Sequence, residues 1–233
     1  MERTNDMLLE VIASNIDDVK QASRYGADRI ELCVGVKEDG YTPSYGLIHG
    51  AVEHSDIPIN VLIRPYVTGF NYSKDELQAI IRDIEMARKL QVNGVVIGAL
   101  TKEHKIDHEA LKRMLDAASD LDITFHRAID VTNNIVESLE ELFQYKQIRR
   151  VLTAGGTKPA YESTDILKQM VEISKDQHIK IMPGYGLNGA NIADFLATVD
   201  VDEIHMGSGV RQNGDALQPL DENKIQAIKQ MMK

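Results

Sequence analysis

The 233 residues hold 26 Lys and Arg against 36 Asp and Glu, a formal charge of −10 at pH 7, with 43% apolar side chains. That balance suits an ordinary globular core and excludes a broad nucleic-acid footprint, which needs a basic face. Cys33 is the only cysteine, so no intrachain disulfide can form. No apolar run approaches the ~20 residues of a spanning helix, and the first residues lack a signal-peptide pattern. The expectation is a cytoplasmic protein with no membrane or nucleic-acid partner.

Short β-type runs recur along the chain, at 8–12, 29–33, 59–63, 94–97, 123–126, 150–153, 180–182 and 203–206. Helical patterns separate them. Ser73 and Glu76 have the spacing of a capping box, and Leu77, Ile80, Ile81, Ile84 and Ala87 keep one face apolar after it. Ile135, Leu139, Leu142 and Phe143 are helically spaced after Asn133-Asn134. So are Ile166, Met170 and Ile173 in a helix expected from about Tyr161. Asn188 is the expected N-cap of a helix whose Ile192, Phe195 and Leu196 face inward. Ile225, Ile228 and Met232 mark the last helix. Gly26 and Asn93-Gly94 each stand where a helix must end before a strand.

Eight strands alternating with helices predict a (β/α)8 TIM barrel in a single domain, residues 1–233. The competing fold is an open doubly wound sheet. Ser14-Asn15-Ile16-Asp17 follows the first strand without the glycine-rich phosphate turn of that fold. Unusual polar residues also sit at the ends of several strands, and those ends meet at one place only if the sheet closes.

Those polar residues form the candidate site. Glu10 and Glu31 lie inside apolar strands, where an unpaired carboxylate costs several kcal/mol. Arg64 and Arg127 are their natural basic partners, or would grip an anion in two-toothed fashion. His126 ends strand 5 and His205 lies in strand 8, and either could move a proton near neutral pH. Asp130 follows in the same stretch. Glu10, Glu31, His126 and His205 are therefore the catalytic candidates. Gly184 and Gly186 after strand 7, with Gly207, Ser208 and Gly209 after strand 8, stand where barrels offer backbone N–H groups to phosphate. With Arg64, Arg127 and Asp130 they are the substrate-binding candidates. The plain alternative is that the carboxylates and arginines only plug the barrel and the glycines only turn the chain. Cys33 ends strand 2, and its sulfur is a soft donor suited to Cu(I) or zinc, though with no second cysteine beside it the plain alternative is an inert buried thiol. His49, His54, His104, His108 and His178 read as surface residues.

Gly26-Ala27-Asp28-Arg29-Ile30-Glu31-Leu32-Cys33, Thr42-Pro43-Ser44, Ile63-Arg64-Pro65, Thr124-Phe125-His126-Arg127-Ala128, Val151-Leu152-Thr153 and Met182-Pro183-Gly184 together resemble the CutC family, over nearly the whole chain. The resemblance implies a (β/α)8 barrel, a cytoplasmic location, a part in copper homeostasis and Cu(I) binding by cysteines of strands 1 and 2. Two departures stand out. Ile12 occupies the position where many members have the strand-1 cysteine, and Tyr66-Val67-Thr68-Gly69-Phe70 replaces a segment that usually carries a second arginine and an aspartate. Two expectations follow. One is a copper-homeostasis protein holding Cu(I) near Cys33. The other is an enzyme using acid–base catalysis on a small anionic or phosphorylated substrate at the barrel mouth. The acidic surface and apolar helix faces also permit a homodimer.

Overall fold

A computed structural model describes residues 7–233. Its eight parallel strands are β1 (Leu8–Ala13), β2 (Arg29–Leu32), β3 (Ile59–Leu62), β4 (Gly94–Ile97), β5 (Asp122–Phe125), β6 (Ile148–Thr153), β7 (Lys180–Pro183) and β8 (Glu203–Met206). They run in the order 7-6-5-4-3-2-1-8. Every seam but β7–β8 is a hydrogen-bonded ladder, and at that seam the two strands lie side by side, nearly closing the ring. The open sheet is thereby ruled out. Eight helices surround the ring: α1 (Ile16–Tyr25), α2 (Tyr45–His54), α3 (Lys74–Lys89), α4 (His108–Ala118), α5 (Ile135–Leu142), α6 (Thr164–Ser174), α7 (Ile192–Thr198) and α8 (Glu222–Met231).

Strand alternation divides the core in two. Successive side chains point to opposite faces, so in β2 Ile30 and Leu32 pack outward against helices while Arg29 and Glu31 point into the barrel. The register repeats this around the ring: Glu10 stands beside Arg29 on one side and His205 on the other. The outer layer is a continuous apolar cluster that includes Leu9, Val11, Val61, Val95, Ile123 and Phe125. The barrel interior, usually filled by branched apolar side chains, here carries buried charge.

The local signals mostly resolve as read. Ser73 and Glu76 form the reciprocal capping box that opens α3. Ser73→Ala is expected to lower stability by about 1 kcal/mol, measurable as a shift of the urea midpoint at unchanged slope. Gly26 ends α1 in the left-handed conformation, at φ 98°. Three local readings are corrected. Gln91, not Asn93-Gly94, takes the left-handed position after α3; Gly94 is inside β4, where a Cβ would approach the Asp122 carbonyl oxygen to 2.3 Å. Asn188 caps a turn through the N–H of Ala190, and α7 starts later, after Asn191. In α6 the inward residues are Leu167 and Met170, while Ile166 is exposed, because a short 3-10 turn at Ala160–Glu162 precedes the helix and sets its phase.

Candidate active site

Beneath the barrel mouth runs a chain of alternating charges. Arg29 donates through Nε to Glu10 and through Nη2 to Glu203 at 2.6 Å. Arg150 donates through Nε to the same Glu203 oxygen at 2.8 Å and grips Asp122 with both terminal nitrogens, at 2.6 and 3.0 Å. Glu10, Arg29, Glu203 and Arg150 are all buried. Glu10 thus pairs with Arg29, not with Arg64 or Arg127 as the sequence suggested. The overlooked signal was the two-residue period. Arg29 shares a face with Glu31, and Arg150 sits two before Leu152, which faces the cavity.

Above this chain, His205 is shared between two carboxylates. Its Nδ1 is 2.8 Å from Glu10 Oε1 and 3.4 Å from Glu31 Oε2, and Glu31 Oε2 makes no hydrogen bond among the described residues. The environments drive the two acids apart. Burial alone would raise Glu10, but Arg29 and His205 outweigh it and hold that carboxylate below its ordinary range. Burial, with the charge of Glu10 added, pushes Glu31 up to about 7 against the pull of His205. Burial lowers His205, yet Glu31 and Glu10 outweigh it and leave the imidazole raised. Glu31 and His205 line a cavity of about 470 Å³ at the carboxyl ends of the strands; Glu10 lies beneath it, fully buried. With Nδ1 engaged by the carboxylates, Nε2 is the nitrogen His205 has left for a ligand. Leu152 and this ring fill the space beside Gly184: a Cβ there would meet Leu152 Cδ1 at 2.8 Å and His205 Cδ2 at 3.1 Å.

A second group stands at the same cavity. Arg64, held by its own backbone N–H on Thr42 Oγ1 at 2.8 Å, turns its guanidinium onto the carbonyls of Glu38 and Gly40, at 3.0 and 2.7 Å. Among the described residues no carboxylate pairs with it, and its Nε is buried without a partner. Phe70 lies 5.5 Å from the guanidinium carbon and 5.0 Å from the His126 ring. His126 accepts the Ala128 N–H at Nδ1, 3.2 Å away, and its Nε2 is buried without a partner among the described residues.

Arg127 and Asp130 form the rim. Arg127 Nε donates to Asp130 at 2.9 Å while its guanidinium lies 4.4 Å from the centre of the Tyr185 ring. Asp130 is saturated. It accepts from the Thr153 hydroxyl and from the N–H groups of Ala154 and Gly156, and so shapes the turn after β6. Gly186, Gly207, Ser208 and Gly209 border the cavity, whereas Gly184 lies under His205. The N–H groups of Gly186, Ser208 and Gly209 meet no acceptor among the described residues. Gly209 is required sterically, since a Cβ would come within 2.1 Å of the Leu187 carbonyl oxygen. The sequence did not point to Phe70 or Tyr185, because a lone ring in a loop carries no periodic signal.

Cys33 also borders the cavity, but it packs with Leu62, Val96, Ile12 and Val36. Burial and the nearby Glu31 charge push its thiol well up, so the sulfur stays protonated. Cu(I) needs soft thiolate or thioether donors, and Ile12 stands where a second cysteine would have to be. The residues present therefore do not fit a two-thiolate copper centre. Among the described residues one cluster has donor atoms close enough to share an ion, Glu10, Glu31 and His205. Its carboxylate oxygens are hard donors and its imidazole nitrogen a borderline one, and Arg29 already takes the place of a cation beside Glu10.

An eight-stranded parallel barrel with a cavity, bordered by charged side chains, over the carboxyl ends of its strands defines a TIM-barrel protein. The profile of the CutC family matches residues 7–210, and the chain belongs to that family. A CutC protein of Pasteurella multocida (strain Pm70) is 41% identical over 206 residues, covering 88% of this chain and 84% of its own. A human relative named copper homeostasis protein cutC homolog is 36% identical, covering 86% of this chain and 73% of its own. The crystal structure of a CutC protein from Streptococcus agalactiae superposes with a TM-score of 0.80 at 31% identity, over 86% of this chain and 98% of that one. Thiamine phosphate pyrophosphorylase from Pyrococcus furiosus, at TM-score 0.64 and 16% identity, shares the fold alone. No helix among the described residues is long and apolar enough to cross a membrane.

Proposed function

We propose that this CutC-family protein is an enzyme that binds a small anionic substrate in the barrel-mouth cavity and moves a proton on it. His205 and Glu31 form the acid–base pair, and Glu10 orients His205 from below. Arg64, the Arg127 rim and the unpaired N–H groups of Gly186, Ser208 and Gly209 hold the anion. The supporting observation is the pair of carboxylates, Glu10 and Glu31, pushed to opposite sides of the usual range around one imidazole. Two titratable groups separated in this way are the mark of assigned acid and base roles. A single cysteine, kept as a buried free thiol, is consistent with work in the reducing cytoplasm.

The test is a titration with inorganic phosphate and sulfate followed by NMR. The parent is expected to bind at millimolar concentration, and Arg64→Met to bind about tenfold more weakly, as fits loss of one charge-assisted hydrogen bond. A parent that takes up neither anion overturns the reading.

Copper comes to this chain through its family, in the name of the human relative, and homeostasis of copper is the cellular role that membership supports. The chemistry around Cys33 favours an indirect part over Cu(I) held by that sulfur. In a Cu(I) titration against a competing chelator, Cys33→Ser is expected to match the parent within about twofold, because a protonated buried thiol is a poor ligand. A tenfold or larger loss would put copper at Cys33.

A further inference from the structure

The acid–base reading gives His126 no role, and it uses the charge of Arg64 without a partner for its orphaned Nε. Nδ1 of His126 accepts the Ala128 N–H, so it bears no proton. A neutral ring then carries its proton on Nε2, which is buried with no acceptor among the described residues. The ring is 4% exposed and is held in place. Phe70 lies against it, and Gly98 leaves the space it fills, since a Cβ there would come within 2.6 Å of His126 Cε1. Burial, with the neighbouring Arg64 and Arg127 charges, keeps the ring neutral by pulling it down to about 3. Arg64 Nε is a second buried donor without a partner, on a guanidinium with no carboxylate among the described residues. Unsatisfied buried donors are costly, and these two belong to side chains that line one cavity. A neutral imidazole N–H held rigid beside a cation is suited to a carbonyl oxygen that gains charge during reaction. His205 borders the same cavity, with Nε2 left free.

We propose that the barrel mouth is an enolising site: His205 Nε2 removes a proton from the carbon beside the carbonyl of a small hydroxy-aldehyde or hydroxy-ketone, while His126 Nε2–H and Arg64 hold the carbonyl oxygen. The proposal rests on the acid–base reading above and names its substrate class. With the proton of the acid–base pair on Glu31, His205 Nε2 has a free electron pair. It takes the proton from carbon; the C–H electron pair becomes a C=C bond, and the carbonyl π pair moves onto oxygen, giving an enolate that accepts from His126 and Arg64. Return of the same proton to the neighbouring carbon, with transfer of the hydroxyl proton to the enolate oxygen, interconverts aldehyde and ketone. No oxidant, reductant or second substrate is consumed.

The experiment follows deuterium uptake. The full chain is incubated in D2O with dihydroxyacetone, glyceraldehyde and the phosphate ester of each, and proton NMR reads exchange at the carbon beside the carbonyl. Uptake above the buffer rate is expected with at least one probe, falling about 100-fold or more in His126→Phe, the scale for loss of an oxyanion donor, and at least as far in His205→Asn. No uptake above buffer with any probe, or equal uptake in the variants, overturns the proposal. If phosphate binds but nothing exchanges, this inference falls and the anion-binding reading stands. A second measurement does not depend on variants folding. Nitrogen NMR of the ¹⁵N-labelled parent at neutral pH is expected to show His126 neutral and protonated at Nε2, and a proton on Nδ1 overturns the proposal.

Discussion

Arg29→Met is expected to lower stability by about 3 to 5 kcal/mol at neutral pH, the range for breaking a buried ion pair from one side. Arg29 is 3% exposed and lies between the buried carboxylates of Glu10 and Glu203. Methionine fills much of the volume and brings no charge, so Glu10 keeps only His205, and Glu203 keeps only Arg150. Urea unfolding measures the loss. A drop under 1 kcal/mol would mean that the charge chain contributes little. The sign with pH follows from the present hold on Glu10. Its carboxylate is depressed below its ordinary 4.5, so in the parent it contributes stability above that value, lost only as pH falls through the depressed value. Without Arg29 that hold goes, burial raises Glu10, and protonation relieves the stranded charge. The deficit of Arg29→Met therefore shrinks as pH is lowered from neutral toward 4.5. The double variant Glu10→Gln with Arg29→Met should be less damaged than Arg29→Met alone, because no carboxylate then lacks its cation.

Glu31→Gln is expected to stabilise the protein above neutral pH, on the order of 2 kcal/mol. Glu31 is raised from 4.5 in the open chain to about 7 in the fold. The folded state therefore binds this proton more tightly. The stability it brings is complete below 4.5 and is lost as pH rises from 4.5 through about 7. Every tenfold gain in proton affinity on folding corresponds to about 1.4 kcal/mol, and the raised value already includes the attraction of ionised Glu31 to His205. Glutamine keeps the shape and removes the titration. Thermal melts from pH 4 to 9 check this: the parent should lose ground to Glu31→Gln across the window, with the lines crossing on the acid side. A Glu31→Gln protein less stable than its parent at pH 8 would show that the carboxylate is kept for packing. The expected gain has a functional meaning, since a buried group that destabilises the fold at working pH is retained for what it does.

The relation of sequence to site is uneven. Leu9, Val11, Ile30 and Leu32 made their strands readable because a buried strand must alternate, and Ser73 with Glu76 made its helix readable because the cap is local in the chain. The same locality explains the errors. Asn188 has the right chemistry for a cap and serves a turn instead, and the phase of α6 depends on the 3-10 turn before it, which periodicity does not report. Glu10, Glu31, His126 and His205 were visible as anomalies, polar groups in apolar runs, without being visible as partners. The assignment of Glu10 to Arg64 failed, since nothing between residues 10 and 64 encodes barrel stagger.

By itself the sequence determined the alternation of strand and helix, the closed-barrel class, the family resemblance and the identity of the unusual side chains, because each depends on short-range period and local chemistry. Only the tertiary structure decided who meets whom: Glu10 with Arg29 and His205, Arg64 with backbone carbonyls, Asp130 with the turn after β6. It also decided that Cys33 lies among apolar side chains, where burial pushes its thiol up. Pairing across a ring joins residues as far apart as 10 and 205, and the pKa of a buried group depends on every charge gathered around it, neither of which is a property of neighbours along the chain.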